Sequence, residues 1–178
     1  MKDVRTEGGF SLVESIVALG VLTFGLLAMA QVFTLGLGML GGANADLMAR
    51  EKAAEAIESV YTARDTRVVT WAQIRNVAGL SGSDGGVFRD GARPLTTPGR
   101  DGLVNTDDDG PVEAMMTPGP DNLLGTGDDV PRLMTEFTRE IEIRDVGPSL
   151  RRIRVIIGYQ VATGHREYVL ETLISSFA

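Results

Sequence analysis

From Phe10 to about Leu35 the chain is built from Leu, Val, Ala, Ile, Phe and Met with scattered Ser, Thr and Gly, and inside that stretch it carries one charge, Glu14. At 1.5 Å per residue such a segment reaches roughly 40 Å, enough to cross a bilayer with tilt. After Glu14 no charged residue occurs until Asp46. The segment reads as a transmembrane helix over residues 10–35 and not as a secretory signal, which has a shorter apolar core and a polar boundary with a small-residue cleavage site soon after it. A carboxylate in bilayer hydrocarbon costs about 2.5 to 3.5 kcal/mol on insertion scales, so it normally has a partner or a task. No Lys or Arg lies within one turn of Glu14 to supply the partner.

The residues ahead of this helix, Met1 to Gly9, set Lys2 and Arg5 against Asp3 and Glu7. Lys2 and Arg5 give only a slight positive-inside signal, and on it this end is placed in the cytoplasm. Gly9-Phe10-Ser11-Leu12-Val13-Glu14, with a short polar leader before it and a long apolar helix after it, resembles the N-terminal processing motif of type IV prepilins and of type II secretion pseudopilins. The resemblance implies that residues 1–9 are a leader and that a prepilin peptidase cuts between Gly9 and Phe10. It also implies that the new amino group of Phe10 is methylated and that Glu14 is the family's assembly glutamate. An α-amino group at Phe10 of one subunit and Glu14 of its neighbour stabilise each other's charged forms within about 4 to 6 Å. Such a pair fixes helix register by penalising any packing that leaves the charge alone.

Gly36-Leu37-Gly38-Met39-Leu40-Gly41-Gly42 contains a literal G-x-G-x-x-G, but it follows an apolar helix and not a strand, which argues against a dinucleotide site. It reads instead as a weak point where the helix unwinds or packs closely, since each glycine costs about 1 kcal/mol relative to alanine. Residues 36–78 then hold an amphipathic helix, with Leu47, Ala54, Ile57 and Val60/Tyr61 on one stripe, and a short second helix around Trp71 to Val77.

Residues 79–131 form a long acidic loop insertion with little apolar periodicity. It contains a repeat. Thr97-Pro98-Gly99-Arg100-Asp101-Gly102-Leu103-Val104-Asn105-Thr106-Asp107-Asp108-Asp109 recurs at an offset of twenty as Thr117-Pro118-Gly119-Pro120-Asp121-Asn122-Leu123-Leu124-Gly125-Thr126-Gly127-Asp128-Asp129. Between Asp101 and Pro131 there are eight acidic residues and no basic one. Glycine turns rich in oxygen suit calcium, which takes about six to eight oxygen ligands. Asp101, Asn105, Asp107, Asp108, Asp109, Asp121, Asp128 and Asp129 are therefore candidate calcium ligands. The spacing from Asn105 to Gly110 half-matches an EF-hand loop, yet its twelfth position is Met116. The competing reading is a soluble, turn-rich acidic insertion that holds no metal.

In residues 132–178, Phe137, Ile141 and Ile143 alternate with charged residues, as do Ile153, Val155, Ile157, Tyr159 and Val161, and then Tyr168, Leu170, Thr172 and Ile174. This alternation predicts three antiparallel strands with turns at Gly147-Pro148-Ser149 and Thr163-Gly164-His165. The fold class is α+β: a long N-terminal helix, transmembrane and then amphipathic, packed on an antiparallel sheet of three to four strands. That is also the layout the pilin resemblance implies.

The net charge of −7 argues against a nucleic-acid partner, and the absence of cysteine excludes disulfides and thiolate chemistry. His165, the one histidine, sits in a turn, and no nucleophile, phosphate-loop or zinc-helix motif accompanies the aspartates. The chain is thus expected not to be an enzyme. The resemblance implies a minor pilin of the pilus-modification type, with a type II secretion minor pseudopilin as the near alternative. Its implied partners are the prepilin peptidase, other pilins or pseudopilins and an inner-membrane assembly platform. Its implied location is the bacterial inner membrane, with the head periplasmic, and then a filament. A single-pass membrane protein whose head binds calcium or another ligand is the reading from a different class.

Overall fold

A computed structural model of the chain describes residues 11–78, 85–162 and 164–177. It falls into two units, one ending at Gly41 and one starting at Gly42. The leader and the Gly9-Phe10 bond lie outside the described residues.

Helix α1 spans Leu12–Asp65. The backbone from Gly36 to Gly42 is α-helical, so the weak point expected from four glycines is not an unwound one. The helix ends because Arg67 adopts the left-handed conformation at φ 59°. Two reverse hydrogen bonds close that end, Arg67 N–H to the Arg64 carbonyl at 3.0 Å and Val68 N–H to the Ala63 carbonyl at 2.9 Å. This is a Schellman ending with arginine where glycine is usual.

In the second unit the face of α1 that enters the core is Ala49, Ala53, Ala56, Val60 and Ala63, all at 3% exposure or less. The expected stripe was set off from this one: Leu47 is 65% exposed and Ala54 is also exposed, whereas Val60 is buried as expected and Ile57 and Tyr61 pack at its margin. Small side chains spaced three and four residues apart present a nearly flat helix face, which a sheet can approach closely. A leucine at the centre of that face would overpack it.

The sheet has four strands in the order β1-β4-β5-β6. Three of them are the expected meander: β4 Phe137–Gly147, β5 Leu150–Val161 and β6 Gly164–Ser175, paired antiparallel. The short β1, Arg93–Pro94, adds to the outer edge of β4. Ile141, Ile143, Ile153, Val155, Ile157 and Ile174 point inward and are at most 2% exposed. His165 pairs with Gln160 within β6 instead of lying in the turn, and its side chain remains 58% exposed.

Two expectations for the middle of the chain need correction. The second helix is only a 3-10 turn, Trp71–Gln73, and of the residues that follow it Ile74 is fully buried while Val77 is 38% exposed. The acidic insertion is also more ordered than its lack of periodicity suggests. It contributes Phe88, Leu95, Leu103 and Val104 to the core at 2% exposure or less, and it forms a separate hairpin of β2, Ala114–Thr117, with β3, Val130–Leu133. Periodicity misses these segments because each buries only one or two residues before turning.

Buried arginines lock the insertion to the sheet. Arg139 occupies an inward position of β4 at 0% exposure. Its guanidinium donates to Asn105 Oδ1 at 2.8 Å and to the Thr96 carbonyl at 2.9 Å, and it lies 3.6 Å from Glu113. Glu113 in turn pairs with Lys52 of α1 at 2.5 Å. Arg151 is 1% exposed, donates to Asp145 at 2.7 Å and to the Ile74 carbonyl at 3.0 Å, and stacks over Trp71 with its guanidinium carbon 4.0 Å from the ring centre.

Candidate functional site

Two features are candidates: the apolar half of α1 with its one carboxylate, and the repeated acidic loop.

Glu14 is the third residue of α1. There the partial positive charge of the helix N-terminus favours a carboxylate, by about 0.3–1 kcal/mol at exposed sites. The side chain is exposed, and among the described residues no cation pairs with it. Around and beyond it, Leu12, Val13, Ile16, Phe24, Val32 and Phe33 are each more than 60% exposed. This is the one described helix long and apolar enough to cross a membrane, and none of its apolar window is buried within the chain.

The hydroxyls of Thr23 and Thr34 in this segment are satisfied locally. Thr23 donates to the Leu19 carbonyl at 2.7 Å and Thr34 to the Ala30 carbonyl at 2.9 Å. Hydroxyls bonded one turn back are compatible with hydrocarbon, where an unpaired donor costs several kcal/mol. Sequence reading passed over Gln31, an exposed amide in this segment, because it carries no charge. Its signal is the same as that of Glu14, a polar group in an apolar run with no neighbour to pair with.

The repeat is a structural one. In the first copy Leu103 N–H donates to Asp101 Oδ1 at 2.8 Å, Arg100 N–H to Asp108 Oδ2 at 2.7 Å, and Thr106 Oγ1 to Asp108 Oδ1 at 2.9 Å. In the second copy Leu123 N–H donates to Asp121 Oδ1 at 2.8 Å, Asp121 N–H to Asp128 Oδ2 at 3.3 Å, and Thr126 Oγ1 to Asp128 Oδ1 at 2.6 Å. Glycine stands where the closing segment presses on the turn. A Cβ on Gly99 would lie 2.3 Å from Asp108 Oδ1, and one on Gly119 2.2 Å from the Asp128 carbonyl. Asn105 and Gly125 both take positive φ, as do Gly102 and Asn122, so Asn and Gly exchange at equivalent positions.

The threonine hydroxyls, foremost, hold the carboxyls of Asp108 and Asp128 below the usual aspartate range, against a smaller opposing effect of burial and with help from backbone N–H groups. Asp109 accepts from the backbone of Asn105 and Thr106 and from the hydroxyls of Thr96 and Thr106 at 2.6–3.0 Å. Asp129 accepts from Gly125 N–H at 2.7 Å, and Asp107 pairs with Arg89. Asn105 is fully buried and exchanges hydrogen bonds with Arg139, so its side chain faces the sheet.

The eight candidate calcium ligands are therefore divided between the two turns, five in the first and three in the second, and their oxygens largely accept hydrogen bonds from the turn itself. Among the described residues no three acidic or histidine groups are grouped as a metal site would need. In this arrangement the aspartates hold each tight turn closed through hydrogen bonds to its backbone and threonine hydroxyl.

The copies differ in what surrounds them. Leu103 and Val104 are buried at 0% and 2% exposure, whereas Leu123 and Leu124 are 61% and 64% exposed.

No protein-family model matches the chain, nor does any curated protein or solved structure.

Proposed function

We propose that this chain is a pilin-like filament subunit, anchored in the bacterial inner membrane by the apolar half of α1 and released into a filament after cleavage between Gly9 and Phe10. The observation that carries the reading is the division of labour along α1. One half exposes mainly apolar surface around a single carboxylate that no described cation pairs with, and the other is packed through an alanine stripe onto an antiparallel sheet. A helix exposed over its full circumference needs lipid or other helices around it. A carboxylate at the start of that helix needs a cation, and cleavage before Phe10 creates one on each neighbouring subunit.

The work of such a subunit is structural. Its partners are the prepilin peptidase, an assembly platform and other subunits with the same helix, and the role fits a minor pilin. The acidic turns are read first as interaction elements, because hydrogen bonds within each turn already hold most of their aspartates in place.

The test is expression with and without a prepilin peptidase. Shortening of the chain by residues 1–9, blocked when Gly9 is replaced by a bulky residue, supports the reading. Identical chains with and without the peptidase refute it.

A further inference from the structure

The first repeat copy shows what this loop docks on. Its Leu103-Val104 pair enters an apolar core, while Asn105 and Asp107 engage the guanidinium-bearing side chains of Arg139 and Arg89. The second copy has the same turn and presents the same leucine position, but the described residues leave most of it uncovered. Leu123 and Leu124 are exposed, Asp121, Asp128 and Asp129 surround them without a basic residue between 117 and 129, and Asp129 Oδ1 is shielded from water with no donor. The hairpin that carries the loop also exposes Met116 and Leu133, at 51% and 55%. With Ala114 and Pro131 these form one face of the hairpin, since Ala114 pairs with Leu133 and Met116 with Pro131.

A surface of the chemistry that the first copy uses is found on the outward face of the sheet. Arg144 and Arg152 stand directly opposite each other across β4 and β5, and Leu173 stands opposite Arg152 on β6. Like charges in directly opposed positions repel, so the pair invites an anionic partner. The neighbouring row does not share this need, because Arg154 is paired with Glu142 at 3.1 Å and with Glu171 at 3.2 Å. Arg144 reaches Glu142 only at 3.8 Å, and among the described residues Arg152 pairs with no carboxylate. Leu173 is 52% exposed and Val146, close by on β4, is 57% exposed.

We propose that the acidic Leu123-Leu124 loop of one copy docks on the Arg144, Arg152 and Leu173 surface of a second copy. Loop and surface are different patches, so the contact is head-to-tail and propagates from copy to copy instead of closing a dimer. It does not depend on the cleavage and helix-packing reading.

The absence of native cysteine allows a direct test. The full chain carrying Leu124→Cys and Leu173→Cys is oxidised with copper phenanthroline in intact membranes of expressing cells, in a Gly9 variant that blocks processing. The expected result is a ladder of disulfide-linked dimers, trimers and higher multimers of this chain, lost when Arg144→Glu and Arg152→Glu are added with Trp71 fluorescence unchanged. No ladder, a ladder indifferent to the two charge reversals, or cross-linking only to a different protein overturns the proposal. Because processing is blocked in this variant, its outcome bears on this contact alone, and the filament reading stands or falls on the peptidase experiment with native Gly9.

Discussion

The two leucines at the same repeat position make an internal control. Leu103 is fully buried and Leu123 is 61% exposed, yet the turns around them share their hydrogen bonds. Truncating leucine to alanine removes three carbons, worth about 2.4 kcal/mol of transfer free energy at about 0.8 kcal/mol each. In a packed core the residual cavity brings the cost to roughly 2–5 kcal/mol. At Leu123 some two-fifths of the side chain is covered, which caps the loss near ~1 kcal/mol, and surface truncations commonly fall within about 0.5 kcal/mol. Leu103→Ala is therefore expected to lower the urea midpoint by the equivalent of at least about 2 kcal/mol, and Leu123→Ala by less than half of that. The assay is urea unfolding of the detergent-solubilised full chain, followed by the fluorescence of Trp71, the only tryptophan. Equal losses at the two positions would refute the claim that one copy is core and the other is interface.

Other expectations follow from the same geometry. Arg139→Met strands Asn105, Thr96 and Glu113 without their shared donor, so it should cost about 3–5 kcal/mol in the same urea assay, and a loss below 1 kcal/mol would show that the network is solvated. Arg67→Gly relieves a left-handed arginine at the end of α1 and should raise stability by about 0.5–1 kcal/mol, whereas a loss would mean that the arginine side chain matters more than the backbone strain. Asp108 and Asp128 have folded pKa values below the ordinary 3.8, so their ionised forms stabilise the turns above that pH and the contribution disappears as pH falls through the lowered values. The urea midpoint should accordingly drop from pH 5 to pH 3, with a shallower drop in Asp108→Asn; an unchanged slope in that variant would contradict the assignment.

How legible the fold was depended on how long each pattern ran. The meander β4 to β6 was plain because eleven- and twelve-residue strands repeat the alternation many times over. The same alternation also held a sign that went unread: Arg139 shares the inward phase of Phe137, Ile141 and Ile143, so its position alone places an arginine in the core. The buried helix stripe was misplaced because alanine carries a weak hydrophobic signal, and the packing of a sheet, which sequence does not display, selected Ala49, Ala53 and Ala56 over Leu47. The repeat was visible as sequence, but nothing local distinguishes Leu103 from Leu123. Only long-range partners brought up by the fold, such as Arg139 against Asn105, decide which copy is buried. Glu14 stands out in the sequence for another reason, since a charge in an apolar run depends on no tertiary context.

The central claim is that Glu14 is an assembly device completed by processing. It is tested most directly by mass spectrometry of the chain recovered from membranes and from sheared filaments of cells that contain the prepilin peptidase, for the native chain and for Glu14→Ala. The account expects both chains to begin at a methylated Phe10, with the native chain in both fractions and Glu14→Ala confined to the membrane. A chain still carrying Met1 to Gly9, or Glu14→Ala present in filaments at the native level, would contradict it.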